Sequence, residues 1–125
     1  MILSSDSVEV YNPKTVRASV GSLFHLPIVV GVDLAEAIDA CRAAGMQILA
    51  TDGASGTDLN DLQADLDKPT AWVMGNESWG LPVEHLALAD RTVAVPIYGS
   101  AESLNLATAA AVCLYASASA QRASN

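Results

Sequence analysis

The sequence predicts an α/β fold, a parallel sheet flanked by helices, and three observations carry that prediction. Short apolar runs alternate with segments of helical period along the 125 residues. The apolar runs, among them "LPIVVGV" (26–32) and "MQILAT" (46–51), lack polar alternation, as strands buried on both faces of a parallel sheet do. Three polar stretches rich in Gly or Pro, "TDGASG", "GNESWG" and "PIYGSAES", follow such runs, at the strand ends where open α/β sheets bind ligands.

The elements follow in order. "MILSSDSVEV" reads as the second half of a strand with its exit loop. In "NPKTVRASVGSLF", Asn12 is the N-cap and Pro13 the first helical residue, with Val16, Val20, Leu23 and Phe24 on one face. "LPIVVGV" is the next strand. "DLAEAIDACRAAG" opens with a capping box, Asp33 and Glu36, faces Leu34, Ile38 and Cys41 to one side, and stops at Gly45. "MQILAT" is a strand. "DGASGTDLNDLQADLDKP" is a loop and then a short helix with Leu59, Leu62 and Leu66 inward. "TAWVMG" is a strand, "PVEHLALA" a helix and "RTVAVP" a strand. The Ala-rich "AESLNLATAAAVCLYASASAQ" is the longest helix, small enough on its surface to pack closely against another element or subunit. The polar tail "SASAQRASN" is expected to fray.

Composition bounds the function. At 51% hydrophobic residues the chain is one globular domain with a single core. It has no apolar run near the ~20 residues that span a bilayer and no basic-then-apolar secretory start, so it is expected in the cytoplasm with no membrane partner. Cys41 and Cys113, far apart and outside any CxxC spacing, read as reduced thiols. His25 and His85 stand alone, and no metal site is expected. No GxGxxG, GxxxxGK[ST] or GxSxG occurs, which removes support for Rossmann, P-loop and nucleophile-elbow chemistry. The net charge of −8, with six Lys and Arg against fourteen Asp and Glu, is too acidic for a phosphate-binding surface.

Two glycine-bearing loops remain. In "VMGNESWGLP", Gly75 lets the backbone approach a ligand and Gly80 permits the turn before Pro82. Asn76 and Glu77 either bond polar ligand groups or cap the following helix. In "VPIYGSAESLN", Ser100, Glu102, Ser103 and Asn105 crowd the start of the long helix. Capping by Ser100 and Ser103 accounts for part of that crowding. It leaves unexplained Asn105, expected inside the helix, and Leu104 between two polar neighbours.

"NPKTVRASVGSLFHLPIV", "VMGNESWGLP" and "VAVPIYGSAESLNLATAAAVCLY", in this order and spacing, resemble the signatures of the SpoU (TrmH) branch of the SPOUT RNA methyltransferases. The resemblance covers almost the whole chain and is nearest to the ribose 2′-O-methyltransferases of ribosomal and transfer RNA. It implies an α/β-knot whose C-terminal segment threads a preceding loop as a trefoil, an exception to unknotted connections. It implies S-adenosyl-L-methionine as cofactor, held by Gly75, Val95, Ile97 and Leu104, with Thr51 and Gly53 as further contacts. It places Glu77, Ser103 and Asn105 at the reaction centre, where a 2′-hydroxyl must be positioned and deprotonated. Arg17 is the candidate for an RNA phosphate, a surface salt bridge being its other reading. A homodimer through the helix from Glu102 to about Ala120 is also implied.

The resemblance lacks one part. An Asn-Gly-rich strand exit and a helix with an essential arginine are expected upstream of "MILSS". Residues 1–125 are therefore expected to be the C-terminal part of such a catalytic domain, N-terminally truncated, that binds cofactor and transfers methyl groups negligibly. A non-catalytic cofactor-binding or dimerisation module is the alternative.

Overall fold

The structure, a computed structural model, describes every residue except Asp6, Val8, Glu9, Val10, Val20 and Glu77, and only the backbone of Ala18, Leu23 and Phe24. The chain divides into two units, Met1–Asp39 and Ala40–Asn125.

In the first unit, β1 (Ile2–Ser4) runs parallel to β2 (Val29–Val32), with Ile2 opposite Val29 and Leu3 opposite Val30. The Met1 ammonium donates to the Pro27 carbonyl at 2.8 Å and fixes the start of the pair. Ile2, Val29 and Val30 are exposed, so the expectation that every apolar run is covered on both faces fails here. Valine suits a pleated strand by the shape of its side chain, and an apolar run does not by itself report what covers it. The helix α1 (Pro13–Ala18) begins as expected, the Asn12 carboxamide oxygen accepting from the Lys14 N–H at 2.9 Å. It does not run on to Phe24. The Ser19 hydroxyl donates to the Val16 carbonyl at 2.7 Å, Gly21 turns left-handed, and a 3-10 turn follows over Ser22–His25. Of the four residues expected on one helical face, only the half-buried Val16 has a described side chain; Val20 lies outside the described residues.

The helix α2 (Leu34–Ala43) spans the division between the units. Asp33 caps it, accepting from the Glu36 N–H at 3.1 Å, and Ile38 is buried.

The second unit is built on β3 (Gln47–Thr51), flanked in a parallel sheet by β4 (Thr70–Val73) and β5 (Arg91–Val93) in the order β4-β3-β5. As the central strand, β3 buries Ile48, Leu49 and Ala50 completely, which is why "MQILAT" shows no alternation. Leu49 and Val93 join Leu59, Leu62, Leu66 and Cys113 in the core. The three leucines come from the 3-10 turn Leu59–Leu62 and the chain just after it, tighter than the helix expected but with the inward face predicted. Asp90 ties the sheet's start together. Its carboxylate accepts from the Ile48 N–H at 2.7 Å and pairs with Arg42 at 2.8 Å, and the Arg42 guanidinium also meets the Leu88 carbonyl.

The short α3 (Val83–Leu86) precedes β5, and α4 (Leu106–Ala123) closes the chain. Cys113 and Ser117 are buried on α4, with Ala116 and Ala120 packed on the core. Burial pushes the Cys113 thiol up to about 11. The polar tail continues the helix as far as Ala123. The Trp72 indole N–H donates to Ser117 Oγ at 2.9 Å, and Gln121 Nε2 donates to the Lys68 carbonyl at 3.0 Å. Polar residues there are partners for the sheet rather than signs of a solvated end. Among the described residues no helix is long and apolar enough to cross a membrane, and no cluster of side chains could hold a metal ion.

Candidate functional site

The carboxyl ends of β3, β4 and β5 all open onto one cavity of about 260 Å³ within the second unit. It is lined by Thr51, Asp52 and Gly53 after β3, by Gly75, Asn76 and Trp79 to Leu81 after β4, and by Val95 and Ile97 after β5. Glu102 to Leu104, Leu106 and Ala109 add the approach to α4 and its first turn. Parallel strands put three chain exits on the same edge, and the order β4-β3-β5 sends successive connections to opposite sides of β3. A crevice at that reversal is where such sheets take ligands.

The loop after β3 is stitched to β5. The Asp52 N–H donates to the Val93 carbonyl at 2.9 Å, and the Asp52 carboxylate accepts from the Ala54 N–H at 3.0 Å. Ser55 Oγ donates to the Thr92 carbonyl at 2.9 Å. Thr51 Oγ1, at the end of β3, faces the Val73 carbonyl and Met74 Sδ at 3.5 Å, joining the two strand ends that carry the cavity.

The loop after β4 doubles back on itself. The Asn76 N–H donates to the Gly80 carbonyl at 3.0 Å and the Gly80 N–H to the Asn76 carbonyl at 2.8 Å. The Asn76 side chain accepts from the Ser78 N–H at 2.7 Å, and Gly80 adopts φ 69°, a conformation that disfavours side chains. A Cβ on Gly75 would sit 2.4 Å from the Gly80 carbonyl carbon and 2.5 Å from the Leu81 nitrogen. This adds a second reason for that glycine: the returning backbone of its own loop comes close to Gly75, which also lines the cavity.

Asn105 also differs from expectation. It is the N-cap of α4, its Oδ1 accepting from the Ala107 N–H at 3.0 Å and the Thr108 N–H at 3.3 Å. The helix therefore starts at Leu106, and Ser100 and Ser103 belong to the preceding loop rather than to its first turn. Sequence reading chose Ser100 because several capping residue types lie within six positions, and tertiary packing decided among them.

Of the residues singled out from sequence, Thr51, Gly53, Gly75, Val95, Ile97, Ser103 and Leu104 line the cavity together. Asn105 lies between the lining residues Leu104 and Leu106. Glu77 lies outside the described residues. Arg17 is in the first unit, exposed in the last turn of α1 and without an ion pair among the described residues. Sequence reading missed Asp52, Trp79 and Glu102 as lining residues. Each is adjacent to or inside a stretch already marked by glycine, so adjacency alone could have flagged them. The only charged side chains among the described lining residues are the carboxylates of Asp52 and Glu102; the remaining walls are mostly apolar.

Residues 1–115 match the SpoU rRNA methylase family. The chain is 41% identical over 118 residues to a 23S rRNA (uridine(2479)-2′-O)-methyltransferase of Streptomyces viridochromogenes, covering 92% of this chain and 41% of that protein. It is 34% identical over 115 residues to a 23S rRNA (guanosine(2553)-2′-O)-methyltransferase of Bacillus subtilis strain 168, covering 92% and 45%. In structure it is similar to the SpoU methyltransferase AviRb from Streptomyces viridochromogenes, solved in complex with AdoMet. The TM-score is 0.85 at 41% identity, over 99% of this chain and 50% of that one. The chain thus spans half or less of the length of these relatives.

Proposed function

The chain belongs to the SpoU rRNA methylase family, and on that premise we propose that its crevice binds S-adenosylmethionine for methylation of a ribose 2′-hydroxyl in ribosomal or transfer RNA. The observation that carries the reading is the chemistry of the lining. Apolar walls suit an adenosine and a methionine chain. Two carboxylates and no basic group, among the described lining residues, favour a sulfonium cation and oppose a phosphate-bearing nucleotide. Similarity to AviRb, solved with AdoMet, supports the same ligand class.

When bound, the cofactor supplies an electrophilic methyl group. The chain's own residues then hold, orient and exclude water. In this reading Thr51, Gly53, Gly75, Val95, Ile97 and Leu104 hold the donor, largely through backbone and apolar contacts. Ser103, a lining residue, orients the ribose. Glu77, through its place in the family's motif, would assist proton loss. Asn105 acts there by fixing the first turn of α4, which sets the positions of Leu104 and Leu106. Arg17 contacts an RNA phosphate.

The same reading makes residues 1–125 the cofactor-binding part of the catalytic domain, with a threaded C-terminal segment, working in the cytoplasm. It has two copies meeting on the outer face of α4, where Leu114 and Tyr115 are exposed. Titration calorimetry tests the premise: S-adenosylmethionine should bind and ATP should not, and tight ATP binding without S-adenosylmethionine binding refutes it. Tritium transfer from labelled cofactor to ribosomal or transfer RNA then separates an enzyme from a module that only binds.

A further inference from the structure

Trp79 is a large aromatic ring left 75% exposed beside a cavity. Single exposed apolar side chains are ordinary, but this one also lines the cavity. Its loop is closed by the two backbone hydrogen bonds between Asn76 and Gly80, braced by the Asn76 carboxamide on the Ser78 N–H, and sealed by the close passage of Gly80 and Leu81 over Gly75. These contacts fix the backbone of Asn76 and Gly80, next to the ring. A second ring stands after β5, on the other side of β3. Tyr98 directly follows the lining residue Ile97, is 84% exposed, and has its hydroxyl accepting from Asn60 Nδ2 at 3.2 Å. Asn60 is itself set by the Asp58 cap, which accepts from its N–H at 2.7 Å. Neither ring serves the core.

We propose that Trp79, aided by Tyr98, is the stacking platform for the unpaired nucleobase whose ribose is presented to the crevice. The inference rests on the functional reading above and names what grips the substrate there. The charge balance points the same way. The chain carries fourteen acidic and six basic residues, and no described lining residue is basic, so phosphate contacts at this mouth cannot supply the grip. Aromatic stacking can, because it needs no charge and every base has a π face. A rigid ring also loses little conformational freedom on binding. The platform therefore selects for a base that is already unstacked, in a loop or a bulge, and discriminates poorly among the bases themselves.

The test uses the full chain, a single-stranded oligoribonucleotide of ten residues at physiological salt, and S-adenosylmethionine in parallel. Trp72 is half-buried with its N–H bonded to Ser117, so quenching of tryptophan fluorescence by the oligonucleotide should come from Trp79. Trp79→Ala should weaken oligonucleotide binding about tenfold or more, the order of one base–aromatic stack, and Trp79→Phe should restore most of it. Tyr98→Ala should give a smaller loss. A ring so exposed can be removed without unfolding the chain, which circular dichroism verifies. Oligonucleotide binding that is undetectable in the wild type, or equal in Trp79→Ala and wild type, overturns the platform. S-adenosylmethionine titrations separate the two claims: retained cofactor binding with no Trp79 effect removes the platform alone. A Trp79-dependent oligonucleotide affinity without cofactor binding keeps the platform and removes the methyl-transfer reading.

Discussion

Replacing Gly75 by alanine is the smallest change that attacks the crevice from inside its wall. The added Cβ would lie 2.4 Å from the Gly80 carbonyl carbon, 2.5 Å from the Leu81 nitrogen and 2.7 Å from the Gly80 oxygen. All three are main-chain atoms, so no side-chain rotamer relieves the overlap. The protein has two ways to respond. If the loop holds its shape, the strain enters the folded state, where overpacking costs about 1–3 kcal/mol. If the loop opens, it gives up the paired bonds between Asn76 and Gly80, at 3.0 and 2.8 Å, worth about 0.5–1.5 kcal/mol each. Both routes converge on about 2 kcal/mol. In the first, the melting temperature falls by several degrees, taking roughly 3–5 °C per kcal/mol at this size. In the second, the wall formed by Gly75, Asn76 and Trp79 to Leu81 moves and S-adenosylmethionine affinity falls about thirtyfold. Differential scanning calorimetry and isothermal titration on the same preparation measure both. An alanine variant with wild-type melting temperature and wild-type cofactor affinity would refute the close-packing argument altogether.

Asn105→Ala removes the acceptor for the Ala107 and Thr108 N–H groups and should destabilise the chain by about 1 kcal/mol. Asn105→Asp, which keeps an acceptor, should lose at most a few tenths of that; equal losses in thermal melts would deny the capping role. The Ile48 N–H and then Arg42 hold the Asp90 carboxyl below the usual aspartate range. Its folded pKa is thus depressed, so its stabilising contribution is present above the unfolded pKa of about 4 and is lost as pH falls below that. Asp90→Asn should flatten the stability profile below pH ~4, and an unchanged acid limb in urea melts would contradict the assignment.

Much of this molecule is legible in its sequence because the relevant signals are local. The apolar run of β3, the caps at Asn12 and Asp33, and the inward spacing of Leu59, Leu62 and Leu66 each follow from a few neighbouring side chains, and the structure repeats them. The place of the crevice was legible for a related reason: parallel strands must end on one edge, so glycine-marked exits from three of them point to one place. Its individual residues came from the family resemblance, and seven of the ten it implied line the cavity.

Tertiary contacts decided the rest. Ser100, Ser103 and Asn105 are all capping residue types, and in the fold it is Asn105 that accepts from the Ala107 and Thr108 N–H groups. The polar tail is helical to Ala123, and Ser117 and Gln121 find partners 45 and 53 residues away in sequence, which no local pattern encodes. Gly75 shows the difference in one residue. Sequence suggested a glycine for close approach to a ligand, and only the folded loop reveals that the chain's own returning backbone also fills the space it leaves.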